Sequence, residues 1–210
     1  MADTWEWDGV AWTQRTPVTS PPARSFHAIT FDAVRQRMVL FGGDDGDHAF
    51  SDTWEWDGVT WTQRTPVTSP PARSSHAMAY DAARRRVVLF GGQDGIGSFS
   101  DTWEWDGATW TQRTPGMSPS ARAQHAMAFD PLRQRVVLFG GVGASGELGD
   151  TWEWDGASWT QRMPTTSPPL QRARSADQLA SVRQQHTMAH DAVRQRVVVF
   201  DGTTLWYFLP

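Results

Sequence analysis

Asp52-Thr53-Trp54-Glu55-Trp56-Asp57-Gly58 recurs letter for letter from Asp3, Asp101 and Asp150, at a constant interval of 49 residues in a chain of 210. A fixed period near 50 residues marks a repeat architecture, in which each unit buries its apolar faces by stacking on its neighbours. The repeats run through nearly all of the chain, so a single domain is expected over residues 1–210. Its units start at 3, 52, 101 and 150.

Within one unit, Thr53-Trp54-Glu55-Trp56 alternates apolar and polar residues, as a half-buried strand does. Asp57-Gly58 then marks a hairpin into Trp61-Thr62-Gln63-Arg64, because glycine accepts the positive φ of a tight turn. The stretch Thr65-Pro66-Val67-Thr68-Ser69-Pro70-Pro71 is a loop. His76-Ala77-Met78-Ala79-Tyr80 reads as a strand. Val87-Val88-Leu89-Phe90 is a short continuous apolar run that fits a strand buried on both faces and ends at Gly91-Gly92. Four short antiparallel strands in about 50 residues make one blade of a β-propeller.

The run Val87-Val88-Leu89-Phe90-Gly91-Gly92, the aromatic pair in Thr53-Trp54-Glu55-Trp56 and the following Trp61-Thr62 together resemble the kelch repeat, over essentially the whole chain. The resemblance implies an all-β propeller whose first strand, His76 to Tyr80, lies nearest the axis. It also implies an interaction domain, since kelch loops often contact partner peptides. The chain opens with a third and fourth strand and ends with a first and second. N-terminal strands pairing with C-terminal ones would therefore close four blades and remove exposed edges. Thr204-Leu205-Trp206-Tyr207-Phe208 is left over, either added to the closing blade or displacing the N-terminal strand. Two alternatives stand beside the four-bladed monomer: a piece of a longer propeller, and a larger ring formed by strand exchange between chains of a homo-oligomer.

Composition narrows the chemistry. The chain has no Cys, Lys or Asn, so all 19 cations are Arg. Thiolate chemistry, Schiff-base catalysis and N-glycosylation sequons are excluded. The kelch resemblance also covers galactose oxidase, whose copper site needs a Cys-linked Tyr; that activity is excluded. The net charge of −4 argues against nucleic acid. No apolar run reaches the length of a membrane span, and no signal peptide is seen, which leaves the cytoplasm as the default compartment.

The period turns single residues into symmetric sets. Arg24, Arg73, Arg122 and Arg183 recur in the Pro-rich loops, and His27, His76, His125 and His186 open the innermost strands. Guanidinium forks suit carboxylates, phosphates and sulfates, so both sets are candidate ligand-binding residues, with inter-blade bonding as the structural alternative. A histidine ring around an axis can also hold a metal or an anion. Asp44-Asp45-Gly46-Asp47 lacks the spacing and final Glu of a calcium loop and reads as a solvated turn. No cofactor and no catalytic residue is expected.

Antiparallel order puts the Pro-rich loops and the loops after each Gly-Gly on one face. These are the least regular segments of the repeat, and the same face carries an insertion near 170–181 before His186. Function on a repetitive scaffold concentrates in such loops. The expectation is a non-enzymatic binding module for a peptide or acidic protein partner on this face. A glycan-binding propeller is the second reading. A lyase or epimerase with its site at the channel mouth is the third.

Overall fold

A computed structural model describes residues 2–168, 187–200 and 205–207, the last for their backbone only. The insertion near 170–181, Arg183 and His186 lie outside the described residues. Strands follow one another as β1 (Thr4–Trp7), β2 (Trp12–Arg15), β3 (Ala28–Asp32), β4 (Arg37–Phe41), β5 (Thr53–Trp56), β6 (Trp61–Arg64), β7 (Ala77–Asp81) and β8 (Arg86–Phe90). Then come β9 (Thr102–Trp105), β10 (Trp110–Arg113), β11 (Ala126–Asp130), β12 (Arg135–Phe139), β13 (Val142–Gly143) and β14 (Gly146–Glu147). The series ends with β15 (Thr151–Trp154), β16 (Trp159–Arg162), β17 (Thr187–Asp191), β18 (Arg196–Phe200) and β19 (Leu205–Tyr207). Among the described residues there is no helix, and so none that could cross a membrane.

Three sheets are complete: β3-β4-β5-β6, β7-β8-β9-β10 and β11-β12-β15-β16. The hairpin β1-β2 and the three-stranded sheet β17-β18-β19 flank them. First strands lie side by side, β3 against β7, β7 against β11 and β11 against β17, which is the blade order of a propeller. His76 stands one residue ahead of its strand, which begins at Ala77.

Local chemistry accounts for the hairpins. In the loop after Trp56, the Asp57 carboxylate accepts the Val59 and Thr60 N–H groups at 2.9 and 2.7 Å, and Gly58 takes φ +96°. This side-chain capping of a turn is what Asp does best. In the turn after β3, the buried Asp32 carboxylate accepts the Val34 and Arg35 N–H groups, and Arg35 adds an ion pair. Asp81 and Asp130 repeat the arrangement.

The cores lie between blades. Val39 and Phe41 of the first sheet pack with Met78, Tyr80, Val87, Leu89 and the three tryptophans of the second. Val88 and Phe90, on the other face of the same strand as Val87 and Leu89, pack in the same way onto the third. The second strand is therefore buried on both faces, as its unbroken apolar run requires. Each tryptophan N–H of the three complete sheets meets an acceptor. Trp103 bonds Asp101 of its own sheet at 2.7 Å, while Trp105 and Trp110 reach back to Glu55 (3.2 Å) and Thr53 (2.9 Å) of the preceding sheet. Trp54, Trp56 and Trp61 do the same towards Asp52, Glu6 and Thr4. Trp152, Trp154 and Trp159 repeat it towards Asp150, Glu104 and Thr102. The nine tryptophans of the three complete sheets are thus packing residues of the blades.

At the C-terminal end the extra strand takes the place left open for the N-terminal one. Among the described residues β1 and β2 pair only with each other, and β19 occupies the edge of β18 with Leu205 opposite Phe200. The reason is loop entropy, since β19 follows β18 closely while β1 lies at the far end of the chain. The three complete sheets thus form an arc with different elements at its two ends.

Gly-Gly is where consecutive blades come closest. A Cβ on Gly91 (φ +62°) would stand 2.6 Å from the Arg122 carbonyl and 3.0 Å from His125 Cε1. Gly58 takes a similar positive φ in open space. Gly58→Ala should therefore cost only the left-handed backbone penalty, about 1–2 kcal/mol. Gly91→Ala should cost at least about twice that, because backbone must also move. Paired urea melts of the two variants check this; equal losses would contradict the close-approach role of Gly91.

Candidate functional site

Arg73 and Arg122 are fully buried, and Arg24 is buried at its side chain. Arg73 sends Nε to the Pro71 carbonyl at 3.0 Å and one terminal nitrogen to the Gly91 carbonyl at 2.9 Å. Both terminal nitrogens grip the Asp101 carboxylate, at 2.6 and 2.8 Å. The guanidinium also lies over the Phe99 ring at 4.1 Å. Arg24 repeats this set with Pro22, Gly42, Asp52 and Phe50, and Arg122 repeats the polar part with Ser120, Gly140 and Asp150. A bidentate fork on a carboxylate leaves little to offer a ligand. The expected ligand-binding ring of Arg24, Arg73 and Arg122 is corrected accordingly: each closes a loop onto the Gly-Gly bend and the next strand of its own blade.

The acids in these pairs respond in kind. Burial pushes the Asp101 carboxyl up, but Arg73 and the Trp103 indole outweigh it and hold it below the ordinary 3.8. Asp52 and Asp150 are held down in the same way by Arg24 with Trp54 and by Arg122 with Trp152. Carboxyls depressed in the fold contribute stability in full above their ordinary value and lose it as pH falls through the folded one.

The histidines divide. His76 and His125 are buried, each edge-on to the phenylalanine of the preceding sheet, Phe41 and Phe90, at 5.6 Å. Each ring also rests where a Cβ on Gly42 or Gly91 would be. Burial first, then the Arg73 charge, holds His76 well below the ordinary 6.5, so it is neutral at physiological pH. His27 is exposed, since no sheet precedes its own at the axis. His76 and His125 are therefore packing residues of the interface, which removes them from an open ligand ring. Among the described residues no group of three or more His, Asp or Glu is placed to hold a metal.

Among the described residues of the loop face, Arg24, Arg73 and Arg122 are neutralised by their aspartates, and Asp45 and Asp94 stand exposed. Asp45 and Asp94 cap their own loops, accepting N–H groups from residues 47 and 48 and from 96 and 97. Between the second and third sheets the same face opens a groove of about 450 Å3, lined by Gln93, Ser98, Gln124, Val142, Gly143 and Ala144 among others. Gln124 has φ +60° and donates its N–H to the Ser75 carbonyl at 2.8 Å, and Ser75 in turn donates to Phe26 at 2.9 Å. This chain of backbone bonds links the blades near the axis and fixes where Gln124 sits.

Residue-by-residue reading of the sequence passed over Gln93 and Gln124. The signal was there, because the repeat varies at both places: Asp44, Gln93 and Val142 are equivalent, as are Phe26, Ser75 and Gln124.

The family profile of the KLHDC2/KLHL20/DRC7 Kelch-repeats domain matches residues 2–118 and 59–190. The chain belongs to the kelch-repeat family, and its sheets are kelch propeller blades. No curated protein matches it. Kelch-repeat domains generally mediate protein–protein interaction.

Two outcomes follow from the buried pairs. Arg73→Ala should cost about 3–5 kcal/mol, since it strands a buried carboxylate and a carbonyl. Arg73→Lys should recover little, because a single ammonium cannot span both carboxylate oxygens and Gly91. Denaturant melts decide, and a Lys variant as stable as wild type would count against the fork. Stability should also fall as pH drops below about 6.5, because unfolding lets His76 take up a proton that the fold denies it. His76→Phe should flatten that slope in melts between pH 7 and about pH 5.

Proposed function

We propose that this domain is a non-enzymatic interaction module that binds an extended peptide segment of a partner protein on its loop face, in the groove between the second and third sheets. The observation that carries this reading is that two glutamines and a serine stand along a groove otherwise lined by small residues. Amide side chains donate and accept at once, which matches the alternating N–H and C=O groups of a peptide main chain. The exposed Asp94, next to the lining residue Gln93, favours a segment that carries Arg or Lys. The inward-turned arginines hold these loops in place, so the surface is pre-organised and loses little entropy on binding.

A random-peptide display library panned on the purified domain tests the proposal. Enriched peptides should be basic and should bind more weakly as salt rises. Gln93→Ala combined with Gln124→Ala should weaken them at least about tenfold, about 1.4 kcal/mol. Val34→Asp, in a turn on the opposite face, should leave them unchanged. Enrichment of peptides indifferent to the glutamine pair would overturn the assignment of the groove.

A further inference from the structure

The two ends of the arc are complementary halves of one blade-to-blade interface, and we propose that a second copy of this chain joins them. At the N-terminal end Trp7 and Trp12 are 52 % and 64 % exposed, while their equivalents Trp105 and Trp110 are 0 % and 1 %. Neither indole N–H has a hydrogen-bond acceptor among the described residues. In every other repeat these two indoles bond a Glu and a Thr of the preceding sheet. At the other end stand the matching acceptors. Thr151 Oγ1 is buried without any hydrogen-bond partner, although Thr4, Thr53 and Thr102 each receive an indole. Among the described residues Glu153 bonds Arg162 through one oxygen and receives no indole, unlike Glu6, Glu55 and Glu104.

A slot is ready beside β1. Thr4, Trp5, Glu6, Trp7, Ile29 and Trp56 line a cavity of about 440 Å3 where a first and second strand would sit in a complete blade. The free edge of β1 faces nothing, and β18 of another copy fits it. The register follows from the complete blades, in which Phe41 opposes Thr53 and Met38 opposes Trp56. Phe200 of one copy then faces Thr4 of the other, and Val197 faces Trp7. β19 gives way, having only three paired positions on β18 against the four that β1 offers.

A second copy can supply the occupant, because β18 reads Arg-Val-Val-Val-Phe where the second strands β8 and β12 read Arg-Val-Val-Leu-Phe. Ile29 and Phe31 of β3 are about half exposed, while Met78 and Tyr80 at the same positions of β7 are buried. The interfaces between consecutive blades repeat the same residues at closely similar distances. Two chains exchange ends reciprocally. Their six complete sheets and two shared ones close a ring of eight blades, a head-to-tail contact that returns on itself. This assembly is independent of what the loop groove binds.

The test is the mass of the full chain in solution, with one cysteine pair as a reporter. Light scattering should show a species of twice 23.5 kDa. Trp7→Ala with Trp12→Ala should weaken that species at least about tenfold. Since the chain has no native cysteine, Thr4→Cys with Phe200→Cys should yield, on oxidation, a covalent species of doubled mass on a denaturing gel. A 23.5 kDa wild type at all concentrations would overturn the proposal. So would a disulfide formed within one chain, which means four-bladed self-closure, and so would a dimer indifferent to the tryptophan pair. If the tryptophan variant does not fold, the cysteine pair in the otherwise unchanged chain decides alone.

Discussion

An indole N–H buried between two sheets must find an acceptor, and in this protein two of every three find it on the neighbouring blade. Trp105 reaches Glu55 and Trp110 reaches Thr53, each with its ring packed into the apolar layer between the sheets. Burial of a large ring supplies most of the driving force, and the hydrogen bond sets which surface it must face. A sheet of four short strands has no interior of its own, so stability resides at these contacts. One tryptophan lost from the middle of the arc loosens two blades at once.

A second layer of contacts sits at the loop face and works by close approach. Gly42 and Gly91 let the next blade's Arg73 and Arg122 loops come within contact of their backbone, and the histidine rings lie flush on the same glycines. The arginine fork then ties the Pro-rich loop to the aspartate at the start of the third strand. Three features that look separate in the sequence, namely Gly-Gly, the loop arginine and the leading aspartate, are one joint. Its rigidity leaves Gln93 and Gln124 on a fixed floor, and so makes a neutral groove on that face usable for recognition.

The strands, the period, the alternation of buried faces and the family were legible in the sequence, because they rest on local patterns: two-residue alternation in Thr-Trp-Glu-Trp, an unbroken apolar run, Asp-Gly and Gly-Gly. The site was legible only in part. The arginine set was visible, but not its partners. Arg73 meets Asp101 across 28 residues, and a sequence in which acids repeat as regularly as arginines does not show which acid each one finds. Read without that pairing, a buried strut looks like an open ligand ring. The glutamines went unread because an amide has no charge to draw notice.

The sequence by itself determined the blade: which residues form each strand, which face each residue turns, and that one unit must stack on the next. Only the tertiary structure decided where the arginines and histidines point, and that β19, not β1, lies on β18. The physical reason is range. Alternation and turn chemistry act over a few residues, whereas ion-pair choice and edge pairing depend on which distant groups the stacked blades bring together.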